Sequence, residues 1–184
     1  MRVISGSARG TRLLAPKTGT RPTSDRAKES IFNIIAEKIP DSSFLDLFAG
    51  SGAIGIEALS RRARHAVFID NSKEAIEIIN KNLSKTKLSD RAAIFDDISK
   101  IGHTSTPDIF DIIFMDPPFD KNLIEPTLDI IINKKLLAPK GLIIAELPKQ
   151  TGEHCSPLQY LPVFLQIIHV RTYGRSSFVF LEEI

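Results

Sequence analysis

The chain holds one cysteine, Cys155, in 184 residues. That excludes an intramolecular disulfide and any cysteine-rich metal site. The four histidines, at 65, 103, 154 and 169, show no ligand spacing, so no metal is expected. Long apolar runs are missing as well. The longest stretch without a formal charge, His154 to Val170, is broken by Pro157 and Pro162, which makes it a poor membrane span. No positively charged start followed by an apolar segment suggests a signal peptide. Internal repeats and low-complexity segments are absent. These absences leave a soluble protein of a reducing cytoplasm as the expectation. One further scarcity is local: no acid occurs before Asp25. Residues 1–40 carry eight Lys/Arg against three acids, a net +5, while the other 144 residues carry 16 against 19, a net −3. A basic arm on a mildly acidic body suggests a polyanion partner. An ordinary solvated charged surface is the plain alternative.

What is present is globular composition, 42% hydrophobic and 25% charged, in a length suited to one domain with a short appendage. From Phe44 onward short apolar runs alternate with amphipathic stretches. "FLDLFAG" (44–50), "HAVFID" (65–70), "AAIFDD" (92–97), "FDIIFMD" (110–116) and "GLIIAEL" (141–147) read as strands. Between them "AIGIEALSRR" (53–62), "NSKEAIEIINKNL" (71–83) and "NLIEPTLDIIINKKLL" (122–137) read as helices. Asn71 is placed to cap the second of these, with Glu74 three residues on, and Pro126 falls in the first turn of the third. Strands alternating with helices predict a parallel sheet covered on both faces. "VFLQIIHV" (163–170) and "SFVFLEE" (177–183) leave no room for a helix between them, so they form an antiparallel hairpin at the sheet's edge. The expected architecture is α/β and Rossmann-like: a mostly parallel seven-stranded sheet (residues 41–184) preceded by a basic extension (residues 1–40). That extension reads as a small hairpin and then a helix from about Ser24, with Ala27, Ile31, Ile34 and Ile35 inward, ending before Pro40.

Two stretches carry chemistry. "LDLFAGSGAIG" (45–55) sets Gly50, Gly52 and Gly55 between a strand and a helix. That arrangement lets a ligand approach the backbone at a helix start. Asp70, 20 residues after Gly50, suits a ribose diol. Asp46, inside the first strand, suits a ligand ammonium, and Asp97 the amine of an adenine. S-adenosylmethionine has all three groups, whereas the pyrophosphate of NAD gains nothing from Asp46. Phe48 and Ser51 lie in the same loop and count among the cofactor residues. The second stretch is Asp116-Pro117-Pro118-Phe119, at the strand end that faces the ligand crevice of an open parallel sheet. An exocyclic amine on a nucleobase is a poor nucleophile because its lone pair is delocalised. The Asp116 side chain and the Pro117 carbonyl could accept its two N–H bonds and aim the lone pair. Phe119 offers a flat face to an unstacked base. The same four residues can serve an adenine N6 in DNA or a glutamine side chain. A non-catalytic nucleotide-binding assembly factor is a further alternative.

"MRVISGSARGTRL", "RPTSDRAKESIFN", "DLFAGSGAIGIEALSR", "DPPF" and "RTYGRSSFVFL" together resemble the bacterial 16S ribosomal RNA guanine-N2 methyltransferase family. The resemblance spans nearly the whole chain. It implies methyl transfer from S-adenosylmethionine to a guanine N2 of 16S rRNA, within an assembled or assembling small ribosomal subunit. Asp46, Gly50, Gly52 and Asp70 then hold the cofactor and Asp116 to Phe119 hold the base. Arg21, Thr23, Asp25 and Arg26 become cofactor or RNA contacts. Arg2, Arg9 and Arg12 of the basic arm are expected on phosphates, which positions RNA without reading its sequence.

Overall fold

Seven strands form one sheet in the order β3-β2-β1-β4-β5-β7-β6. They are β1 (Ser43–Leu47), β2 (His65–Ile69), β3 (Ala92–Phe95), β4 (Phe110–Met115), β5 (Leu137–Pro148), β6 (Leu165–Tyr173) and β7 (Ser176–Glu183). The structure is a computed structural model that describes residues 1–16, 24–101, 109–149, 158 and 161–184. Strands β1 to β5 run parallel. β7 then pairs antiparallel with β5, and β6 with β7 at the margin, the hairpin that the tail's two helix-free runs require. Four helices accompany the sheet: α1 (Asp25–Ile34), α2 (Ala53–Ser60), α3 (Lys73–Thr86) and α4 (Ile124–Asn133). No described helix is long and apolar enough to cross a membrane.

The central strands are apolar throughout because both faces are covered. One face presents Phe44, Phe68, Phe114 and Ile144 to a core shared with α1, α2, α3 and residues Val3, Ala8 and Leu13. The opposite face presents Leu45, Val67, Ile113, Met115 and Ile143 to Ile124, Leu128 and Ile131 of α4. Each of these fully buried side chains contributes roughly 1.5–3 kcal/mol.

Three local expectations are corrected. Ile34 does not face the core: it is 37% exposed, while Phe32 and Ile35 are buried in its place. The helix leaves α geometry after Ile34 for a short 3-10 turn at Ala36–Lys38, which rotates Ile35 and not Ile34 inward. The cap of α3 is Ser72 and not Asn71, its hydroxyl accepting from the Ala75 N–H. Asp70 explains that choice, because its carboxylate takes the Ser72 N–H and places Ser72 at the turn.

Helix α2 is buried on every side, Glu57 and Ser60 included. The sheet covers its inner side, and the first residues of the chain cover the outer one. There Arg2 and Arg12 form one antiparallel bridge. The Glu57 carboxylate accepts from the Ile4 N–H at 2.7 Å and the Ser5 N–H at 3.0 Å. It also meets Lys28 Nζ at 3.3 Å and Arg61 Nε at 2.8 Å. Ser60 adds bonds to Ser5, Ser7 and Ala8. A carboxylate buried this deeply is tolerable because each oxygen has two donors.

Candidate active site at the carboxyl ends of the strands

The residues singled out in the sequence converge because successive parallel strands all end on one edge of the sheet. Asp46, Asp70, Asp97 and Asp116 lie at or beyond the carboxyl ends of β1, β2, β3 and β4. The β1–α2 loop turns through three left-handed residues, Phe48, Gly50 and Gly52 (φ +61°, +55° and +73°). A Cβ on Gly50 would find only the Phe48 carbonyl at 4.0 Å, so the loop is open on that side to an approaching ligand. Gly55 serves the inner side, where a Cβ would stand 2.4 Å from Phe68 Cε1. Only glycine lets α2 lie against β2 there.

Asp46 Oδ2 accepts the Gly55 N–H at 2.8 Å. Since the Gly52 cap position offers no side-chain bond, Asp46 caps α2 from the neighbouring strand. Burial pushes its pKa up to about 8; the Gly55 bond opposes this and the charge on Asp70 adds to it. No described cation offsets that burial, so the site is built to receive positive charge. Asp70 spans the loop, with Oδ2 on the Gly50 N–H at 2.8 Å and Oδ1 on the Ser72 N–H at 2.9 Å. Asp97 is exposed and bonds the Ser99 N–H at 2.6 Å, capping a 3-10 turn; its pKa lies below the ordinary value because of the bonds to Ser99. Ser51 reaches Met1 Sδ through its hydroxyl at 3.6 Å. Its carbonyl accepts from Asn82 Nδ2, which also donates to the Leu14 carbonyl, while Asn82 Oδ1 accepts from Leu14 N. Asn82 therefore fastens the glycine loop to the N-terminal arm.

The second cluster lies beside this loop. Asp116 follows β4, and Pro117, Pro118 and Phe119 line a cavity of about 320 Å³ together with Asn122, Leu123 and Glu146. Phe119 is 44% exposed, a flat surface at the cavity wall. Glu146, on β5, was not anticipated. Met115 pairs with Ala145 across the parallel register, so Asp116 and Glu146 follow side by side and their carboxyl groups hydrogen-bond. Burial, and then the charges of Glu146 and Asp46, hold the Asp116 pKa well above the usual carboxylate range. Two carboxyls in this contact share a proton. A signal for Glu146 existed: it is a lone charge inside the apolar run "LIIAEL", the same anomaly that drew attention to Asp46.

Arg2, Arg9, Arg12 and Arg26 are all exposed. Arg2 Nε meets Asp25 Oδ2 at 3.5 Å, joining the arm to α1. Arg21 and Thr23 lie outside the described residues. No group of three or more metal-ligating side chains occurs among the described residues.

Residues 1–182 match the family described as conserved hypothetical protein 95. A candidate rRNA methyltransferase of Bacillus subtilis (strain 168) is 40% identical over 163 residues, covering 83% of this chain and 89% of its own. The ribosomal RNA small subunit methyltransferase D of Escherichia coli (strain K12) is 38% identical over 154 residues, with 83% and 77% covered. The solved structure of a candidate methyltransferase from Escherichia coli superposes with a TM-score of 0.84 at 32% identity, covering 100% of this chain and 97% of that one. The fold is thus the Rossmann-like class I methyltransferase fold with antiparallel C-terminal strands. The chain belongs to the family described as conserved hypothetical protein 95, and with it to the ribosomal RNA small subunit methyltransferase D family.

Proposed function

We propose that this member of the family transfers a methyl group from S-adenosylmethionine to the exocyclic N2 amine of a guanine in small-subunit ribosomal RNA. The observation that carries this reading is the cavity lined by Pro117, Pro118 and Phe119, adjoining Asp116 at the same sheet edge as the glycine loop. Relatives named for rRNA methylation support the substrate class. The residues present fit the cofactor: an open loop at Gly50, a buried carboxyl at Asp46 awaiting a cation, and Asp70 at the end of β2. Bound there, S-adenosylmethionine supplies a methyl group activated by its sulfonium.

Asp46 then faces the ammonium of the cofactor's amino acid portion, and Asp70 its ribose hydroxyls. Asp116 accepts one N–H of the amine and the Pro117 carbonyl the other, which aims the nitrogen lone pair at the methyl carbon. Phe119 stacks on the base. As the N–C bond forms and the C–S bond breaks, the bonding electrons stay on sulfur and Asp116 takes the proton that nitrogen sheds. A carboxylate held above its ordinary pKa is the better base for that step. Catalysis is otherwise positioning, which can supply several powers of ten. Exposed Arg2, Arg9, Arg12 and Arg26 hold RNA phosphates.

Asp116→Ala tests the reading. Labelled cofactor and unmodified small-subunit RNA or particles should show methyl transfer abolished and cofactor binding retained. Near-normal turnover by this variant overturns the assignment.

A further inference from the structure

Recognition of guanine, as distinct from positioning of an amine, needs a group that reads the edge beside N2. There guanine presents N1–H, a donor, where adenine presents a bare acceptor next to its own amine. Asp116 and the Pro117 carbonyl are spent on the amine hydrogens and cannot make that distinction. Glu146 is 7% exposed, lines the cavity with Pro117, Pro118 and Phe119, and hydrogen-bonds Asp116. It is the carboxyl of this wall that no step of the transfer uses.

We propose that Glu146 is the specificity-determining residue of the acceptor cavity, accepting the N1–H of guanine while Asp116 accepts an N2–H. This rests on the guanine reading given above. The two carboxyls share one proton, so each keeps an oxygen free to accept. Together they offer two acceptors to the two adjacent donors of guanine's Watson–Crick edge. Adenine, turned to place its N6 amine on Asp116, would set its N1 lone pair against the Glu146 oxygen. A site that hydrogen-bonds a substrate N–H discriminates strongly against analogues lacking it. The antiparallel pairing of Glu146 with Phe178 of β7 holds it in place from the other side, which gives the C-terminal hairpin a part in the site.

The test uses RNA carrying either guanine or 2-aminopurine at the mapped target, with labelled S-adenosylmethionine and the full-length chain. The analogue keeps the N2 amine and lacks N1–H. Wild-type protein should prefer guanine by about 10- to 100-fold in kcat/KM, the worth of a hydrogen bond to a charged group. Glu146→Gln can turn an amide N–H toward the bare N1, so its preference should collapse to within about threefold with cofactor affinity unchanged. An unchanged preference in Glu146→Gln overturns the role of Glu146. Should Glu146→Gln fold poorly, Glu146→Asp provides the second readout, its shorter reach lowering the preference at least fivefold; full retention counts against the proposal. The methylated nucleoside separates this from failure of the underlying reading: N2-methylguanosine upholds the latter, and any other product overturns both.

Discussion

Replacing Asp46 by asparagine isolates one titration. The carboxyl is fully buried, and its pKa is raised from 3.8 to about 8, first by burial. Asparagine keeps the shape and an oxygen for the Gly55 N–H but cannot ionise. An acid whose folded pKa lies above its unfolded one stabilises fully below the unfolded value, and that stability is lost as pH rises through the folded value. Between pH 5 and 8 the native state holds the Asp46 proton that the unfolded chain has shed. The stability of the wild type relative to Asp46→Asn should therefore fall by about 3.5 kcal/mol across that range, at 1.36 kcal/mol per pH unit. Asp70 and Asp116, the neighbours in electrostatic contact with Asp46, are present in both proteins, so the difference reports on Asp46. Urea unfolding of both, followed by circular dichroism at pH 5, 6, 7 and 8, measures it. Two curves that run parallel refute the reasoning, because they mean that Asp46 is ionised in the native state throughout. On the proposed cofactor reading, S-adenosylmethionine binding near pH 7 also releases a proton. Calorimetric heats should then vary with the ionisation enthalpy of the buffer, and this variation should vanish in the variant.

Two further outcomes follow from geometry. Glu57→Ala strands the buried Lys28 ammonium and two N–H groups of the arm, and should cost about 3–5 kcal/mol by denaturant unfolding, with amide exchange rising first at Ile4 and Ser5; a loss below about 1 kcal/mol contradicts the ion-pair account. Phe119→Ala removes a half-exposed ring, so stability should change by less than about 0.5 kcal/mol while kcat/KM toward RNA falls roughly 10- to 100-fold. Unchanged kinetics would remove Phe119 from the acceptor site.

Much of this molecule is visible in its one-dimensional pattern, and the exceptions share a cause. Alternating strands and helices are local signals, as are the glycine loop and the acid–diproline–aromatic turn, so order and edge could be read directly. Charged residues inside amphipathic helices read as solvent-facing by default. Lys28 and Glu57 escape that rule only because a segment more than fifty residues away covers them. Asn82 is invisible for the same reason: its partners Leu14 and Ser51 belong to other elements. The chemical neighbourhood of Asp46 was legible, whereas its bond to the helix behind it was not. Register between β4 and β5, which sets Glu146 against Asp116, is a property of the assembled sheet.

The arm over α2 also constrains the order in which the chain can assemble. Residues 4–8 bond to residues 57–60, a separation of 52 to 55 positions. At synthesis rates of roughly 5–20 residues per second, the arm waits about 3–10 s before its partners exist. Closing so long a loop carries an entropic cost that falls on a rate before it appears in stability. Residues made first are thus secured late, after β1, β2 and α2 have come together.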